Sequence, residues 1–327
     1  MRINEGAVRT GAAWIAVSAT VPYLALKALW LTGHPVGSGD PGGMDRLWLL
    51  NLLTVGMDAI AVALTLAFVR PWGRRLPAGL VAFPMWVATG LLGTILVALP
   101  LYLLSTVVLG SERSTGQGDD NGLDSWVFAV VYGGFAAQGV ALITAFVLYV
   151  RRRWATLLRA RTGDLPHTPT LTVQRTLGCV AALLGVGVAA ARAYWAAGGA
   201  AGVPIAMAEE RSRGVAVMNT VTAAMAVAAP AALLILVFRI RPQRRLRGPL
   251  LVAWTAAGSL FGWGSWQLVA FGATTTGVTD LRMAVPGLMP LVEAAQVVTG
   301  VLILAAGAVA LTERGAREAA ADVESPG

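Results

Sequence analysis

Three residue types are nearly missing from these 327 residues, which hold one cysteine, two histidines and one lysine. Cys179 alone cannot close an intramolecular disulfide, and a structural metal site built on several thiolates is excluded with it. His34 and His167 both fall between apolar runs, so no histidine stands inside a run where it could ligate haem. Charge is scarce as well. Charged residues make up 13% of the chain and hydrophobic ones 56%, whereas soluble domains carry about a quarter charged residues, so lipid is the expected solvent. Motifs for chemistry are missing too: there is no Gly-x-Ser-x-Gly elbow, no His-Glu-x-x-His, no Walker loop and no Asp-Asp-x-x-Asp set. Gly185-x-Gly187 follows no strand and is no nucleotide loop. No catalytic residue, metal site or cofactor is expected.

What is present in quantity is apolar sequence in runs of about 20 residues, the length needed to cross a bilayer as helix. Such runs lie near Ala12–Thr32, Leu47–Val69, Ala78–Leu99, Trp126–Val150, Leu177–Ala197, Gly214–Val237, Pro249–Phe271 and Pro286–Leu311. They predict an all-α integral membrane protein of about eight transmembrane helices. Arg2 and Arg9 before the first run imitate a leader peptide, but Lys27 interrupts that run and a similar segment recurs mid-chain, so it is read as a span.

The net charge of +8 would suit nucleic acid if the arginines shared one soluble face. They cluster instead between runs, in Arg70–Leu76, in Arg151–Arg153 with Arg159 and Arg161, and in Arg239–Arg247. The loops between those clusters hold Asp40 and Asp45, then Glu112, Asp119, Asp120 and Asp124, then Glu209 and Glu210 beside Arg211 and Arg213. This alternation is the positive-inside pattern and predicts both termini in the cytoplasm, with membrane lipids and no nucleic acid as partners. Trp30, Trp48, Trp126 and Trp195 outside, with Trp72 and Trp154 inside, fit an interfacial belt.

An internal echo organises the chain further. Lys27-Ala-Leu-Trp30 returns as Arg192-Ala-Tyr-Trp195, Asn51-x-x-Thr54-x-x-Met57 as Asn219-x-x-Thr222-x-x-Met225, and Trp86-x-x-x-Gly90 as Trp254-x-x-x-Gly258. Arg70-Pro71 with Arg74-Arg75-Leu76 returns as Arg241-Pro242 with Arg244-Arg245-Leu246, and Ala136-Ala137-Gln138 as Ala294-Ala295-Gln296. Alanine-rich helices match by chance, but five collinear echoes carrying Trp, Asn, Gln and Arg argue for two four-helix repeats of parallel orientation. The expected division is residues 1–155 as the first half, 156–173 as a basic cytoplasmic linker, 174–312 as the second half, and 313–327 as a disordered cytoplasmic tail.

Four ionisable residues fall inside runs: Lys27, Asp58, Arg192 and Glu293. Each costs roughly 2.5–3.5 kcal/mol at the bilayer centre. Lys27 lies six residues before Gly33, about 9 Å along a helix, and Arg192 stands in the same relation to Gly198, so both could snorkel to the outer boundary. The carboxylates are too short for that. Pairing Lys27 with Asp58 and Arg192 with Glu293 would neutralise each half by itself, either as plain register-fixing ion pairs or as a polar site. Asp58 stands opposite Ala226 in the repeat, and Glu293 opposite Phe135, so the acids occupy different helices. Asn51 and Asn219 are expected to bond between helices, and Gln138 and Gln296 either do the same or line a shared cavity. Gly90, the Gly133-Gly134 pair and Gly258-x-x-x-Gly262 read as close-packing sites.

The segments Arg70-Pro-Trp-Gly-Arg-Arg-Leu-Pro77 and Lys27-x-x-Trp30 resemble those of uncharacterised polytopic membrane proteins of actinobacteria. The resemblance covers short motifs, implies a bacterial inner membrane and carries no activity. The two-by-four layout is similar to that of haem A synthases, but their haem-ligating histidines have no counterpart here. The residues leave three classes. The first is a small-solute permease or secondary transporter whose site lies at Lys27, Asp58, Arg192, Glu293, Gln138 and Gln296, the basic pair favouring an anionic or zwitterionic solute. The second is a scaffold, sensor or assembly factor binding a membrane-protein partner. The third, an intramembrane enzyme, has the least support.

Overall fold

The computed structural model describes residues 5–34, 36–38, 48–110, 124–209, 212–275 and 287–324. Asp40, Asp45, Glu112, Asp119, Asp120, Glu210 and Arg211, which the charge pattern assigns to outward loops, lie outside them. The chain is helical, with no strand among the described residues. Among the described residues eight long helices follow one another: α1 (Glu5–Leu31), α2 (Trp48–Val69), α3 (Ala78–Leu109), α4 (Ser125–Arg153), α5 (Leu171–Ala196), α6 (Arg213–Val237), α7 (Arg247–Thr275) and α8 (Leu288–Glu324).

Seven of these are long and apolar enough to cross a membrane. The exception is α7, which matches the others in length but carries Trp, Ser, Thr and Gly through its middle. Its position explains the composition. It packs along α3, α6 and α8 and touches α2, burying Ala253, Ala256, Ala257, Ser259 and Leu260. A helix lined mostly by protein needs less apolar surface than one facing lipid, and small residues let its neighbours approach. The other helices turn large apolar side chains outward, among them Leu80, Val107, Leu183 and Leu291, as a lipid-facing surface requires.

Helix neighbours follow one scheme in both parts of the chain. Among α1 to α4, α1 packs on α2 and α4, α2 on α3 and α4, and α3 on α4. Among α5 to α8, α5 packs on α6 and α8, α6 on α7 and α8, and α7 on α8. The two sets meet chiefly where α3 crosses α7. A Cβ on Gly90 would sit 2.0 Å from the Gly258 carbonyl carbon, and one on Gly258 would sit 2.3 Å from the Trp86 carbonyl oxygen. Only glycine permits that approach. Beside it the Trp254 indole donates to Thr89 Oγ1 at 2.9 Å, and the Thr94 and Ser259 hydroxyls bond at 2.6 Å. Gly262 belongs to the same seam, against Leu91, whereas Gly133 faces open space and is no packing site.

The arginine-rich end of the bundle is built by the linker. A helical turn at Ala155–Arg159 and a 3-10 turn at Thr162–Asp164 lead into a segment that docks on the α6–α7 loop. Thr162 N donates to Arg244 O at 2.9 Å, Gly163 N to Pro242 O at 2.9 Å, and Leu246 N to Ala160 O at 2.8 Å. Leu157, Leu165, Leu236 and Leu246 close an apolar cluster beneath. Beyond Glu313 the helix α8 continues to Glu324. Its Ala, Glu and Arg residues are good helix formers. Thr168 Oγ1, Thr170 Oγ1 and Gln174 Nε2 donate to the Glu313 carboxylate at 2.7, 2.5 and 3.0 Å, which ties the extension to the linker.

Candidate functional site: two buried ion pairs

Lys27 lies near the C-terminal end of α1. Because a helical side chain leans toward the N-terminus of its helix, the ammonium is directed away from the nearby end and into the bundle. It is fully buried and donates to Asp58 Oδ2 of α2 at 2.8 Å. Snorkelling is thereby replaced by pairing. The Tyr23 ring, one turn earlier on α1, lies under the ammonium at 3.8 Å from Nζ to the centroid, and Phe135 of α4 meets Tyr23 edge-on at 4.9 Å. Sequence reading missed this aromatic wall, although Tyr23 and Lys27 stand four residues apart on one helical face.

Arg192 occupies the corresponding place on α5 and gathers three partners. Its Nη2 donates to Glu293 Oε1 of α8 at 2.5 Å and to Gln296 Oε1 at 3.2 Å, while Nη1 donates to Asn219 Oδ1 of α6 at 3.0 Å. Gln296 Nε2 in turn donates to Leu260 O of α7 at 3.2 Å. One guanidinium thus joins α5, α6 and α8, and through Gln296 it reaches α7. Two atoms are left over: Arg192 Nε and Glu293 Oε2 are buried without a hydrogen-bond partner among the described residues.

Trp30 and Trp195 are not belt residues. Both are buried, and each indole closes the turn after its helix, Trp30 Nε1 donating to Val36 O and Trp195 Nε1 to Ala201 O, both at 2.9 Å. The basic-x-x-Trp echo is therefore a device with two functions, a buried cation and a pinned turn three residues later. Trp48, Trp72 and Trp126 remain exposed.

The six singled-out residues separate into two groups with one outlier. Lys27 joins Asp58, and Arg192 joins Glu293 and Gln296. Gln138 is buried on α4 without a hydrogen bond among the described residues. Neither glutamine lines either of the clefts at the arginine-rich end. No cluster of His, Cys, Asp and Glu able to hold a metal occurs among the described residues.

Fold and site together define a multi-pass α-helical membrane protein with ionisable residues buried among its helices. Comparison with protein families, curated proteins and solved structures finds no match to the chain.

Proposed function

We propose that the chain is a permease or secondary transporter of a bacterial inner membrane, taking a small anionic or zwitterionic solute. In this reading α1–α4 and α5–α8 are two repeats of parallel orientation, α7 crosses the bilayer with the other seven helices, and both termini are cytoplasmic. The shared neighbour scheme supports the repeat. So does the seam, where Gly90 and Gly258, the same position of one echoed motif, meet each other as residues beside a two-fold axis do.

The observation that carries the functional reading is one buried ion pair per repeat, the second with unspent hydrogen-bonding atoms. Buried pairs contribute little stability compared with well-packed apolar residues, so stability alone is a poor reason to keep two. Ionisable residues inside a membrane characteristically mark solute and proton pathways. An anionic group of a solute would compete with Asp58 or Glu293 for its cation. Arg192 Nε offers a donor and Glu293 Oε2 an acceptor, matching the two ends of a zwitterion. A carboxylate released from its cation would take up a proton, which couples solute movement to pH.

The test is reconstitution into proteoliposomes with a panel of amino acids and small organic anions, alongside thermal melting in detergent. Wild type is expected to show pH-dependent uptake and a raised Tm with at least one solute, both lost in Asp58→Asn and Glu293→Gln variants that still insert and stay monodisperse. If no solute moves or stabilises the protein, while a membrane-protein partner copurifies stoichiometrically, the chain is a scaffold and the permease reading fails.

A further inference from the structure

The two buried pairs stand differently toward a proton, because their cations hold different reserves of acceptors. Lys27 has Asp58 as its one hydrogen-bonded acceptor among the described residues, and the Tyr23 ring adds only the attraction of an aromatic face. Neutralising Asp58 would leave the ammonium a single, weakened acceptor. Arg192 is held otherwise. Asn219 Oδ1 and Gln296 Oε1 accept from it at 3.0 and 3.2 Å, so the guanidinium keeps two amide acceptors when Glu293 loses its charge. Gln296 is set for this by its other end, since its Nε2 donates to Leu260 O of α7 at 3.2 Å and the amide oxygen is thereby turned to Arg192. A protonated Glu293 also still offers Oε1 as an acceptor, which an apolar replacement would not.

The carboxylates differ in the same sense. Glu293 is fully buried, and its Oε2 has no hydrogen-bond partner among the described residues. Asp58 keeps 9% of its side chain exposed and leaves no such buried orphan. An ionised oxygen buried without a donor is costly, and a proton on the carboxyl removes most of that cost. The helices packed on α8 are α5, α6 and α7, and from them Arg192 is the charged side chain bonded to Glu293. Their other ionisable groups are placed elsewhere. Arg175 donates to Val237 O, Cys179 is exposed, the Tyr194 hydroxyl accepts from Ala201 N, Arg213 bonds Ser105 O and Gly110 O, and Arg247 opens α7 about 20 Å along the helix from Leu260. On α8 itself, Glu313 lies about 30 Å beyond Glu293.

We propose that Glu293 is the residue at which the chain takes up a proton within the membrane, and that Asn219 and Gln296 are positioning residues that hold Arg192 while it does. Asp58 stays ionised beside Lys27. The coupling role rests on the permease reading: an anion arriving at Arg192 adds one negative charge to a neutral pair, and the proton on Glu293 offsets it. The site of protonation stands without that reading.

The experiment places the full chain in lipid, with no solute added, and records infrared difference spectra between about pH 9 and about pH 5, a window that spans the values documented for buried glutamates. A buried carboxylic acid shows a C=O stretch that the carboxylate lacks. The band is expected in wild type and in Asp58→Asn, and is expected to vanish in Glu293→Gln. A hydrophobic carbodiimide, which adds to protonated carboxyl groups in apolar surroundings, should label Glu293 of the wild type at the acid end. Peptide mass spectrometry locates the adduct, and this arm requires no variant to fold. In Gln296→Leu, where Arg192 depends more on Glu293 staying ionised, the midpoint of the band should fall by about one pH unit. A merely structural glutamine would leave it in place. The proposal is overturned if the band or the label belongs to Asp58, or if neither appears at Glu293. An unmoved midpoint overturns the role given to the amides. Protonation of Glu293 with no uptake of any solute by proteoliposomes would uphold the assignment and remove the permease.

Discussion

The first four helices neutralise their buried cation with one acid and an aromatic wall, while the last four surround theirs with an acid and two amides. Lys27 meets Asp58 on the adjacent helix and rests on Tyr23. Arg192 reaches past its adjacent helix to Glu293 and Gln296 on α8, taking Asn219 of α6 along the way. The reason lies in how closely α5 and α6 approach. A Cβ on Gly185 would sit 2.5 Å from Ala226 O, and Ala226, which the proposed repeat pairs with Asp58, is fully buried. A side chain larger than alanine at 226 would have to displace buried neighbours, and the acid of this pair stands on α8 instead. The longer side chain follows from that, since a planar guanidinium bonds several helices at once where an ammonium is a single point charge.

Removing one partner from either pair should break the comparison most severely. Glu293→Leu strands the Arg192 guanidinium, and Asp58→Leu strands the Lys27 ammonium, each expected to cost about 3–5 kcal/mol in reversible unfolding from mixed micelles. Removing both partners, as Lys27→Met with Asp58→Leu, is expected to cost far less, because no charge is left uncompensated. In the second half the corresponding double change should recover less, since Asn219 and Gln296 lose the donor they were arranged around. Equal recovery in both halves would show that the amides around Arg192 contribute nothing.

A transplant sharpens the same contrast at smaller amplitude. Asp58→Ala removes the acid from α2, and Phe135→Glu adds one on α4 at the position that the proposed repeat pairs with Glu293 of α8. Phe135 already packs on Tyr23, which in turn lies under Lys27. The double variant is therefore expected to regain about 1.5–3 kcal/mol relative to Asp58→Ala alone, the range for hydrogen bonds to charged groups. No recovery would mean that α1 and α4 are held in a different register from α5 and α8, and the repeat reading would lose its best structural support.

Much of this was legible in the residues. The cost of charge in lipid picked out Lys27, Asp58, Arg192 and Glu293, and the short reach of a carboxylate dictated that the acids be met by the bases. Gly90 and Gly258, which read as close-packing sites, are in contact where α3 crosses α7, although the residues did not say that they would meet each other. The errors have physical sources. Trp30 and Trp195 were assigned to the boundary because tryptophan prefers it, but a loop carbonyl six residues on satisfies each indole inside. Gly133 has the composition of a contact and no neighbour. The asymmetry of the two pairs was visible as Ala226 and Phe135. Its cause, the close approach at Gly185, depends on the distance between helices, which no single sequence prints.

The smallest effect concerns the ends of α4 and α8, where the two halves differ again. The tail of α4 ends in three consecutive arginines, while α8 runs on and is tied down by Glu313. The Glu313 carboxylate accepts from Thr168 and Thr170, both partly exposed to water, and from the buried Gln174, and is itself only partly covered, so the tie is worth less than either buried pair. Glu313→Gln keeps the shape but replaces one acceptor oxygen by a donor that faces other donors. A loss of about 1 kcal/mol is expected, together with faster amide exchange in the Thr168–Leu171 segment and in α8 beyond Glu313, and no change around Lys27 or Arg192. Exchange that stays at its wild-type rate would mean that helix propensity alone carries α8 to Glu324, and that the linker is held by Arg239 and its docking on the α6–α7 loop.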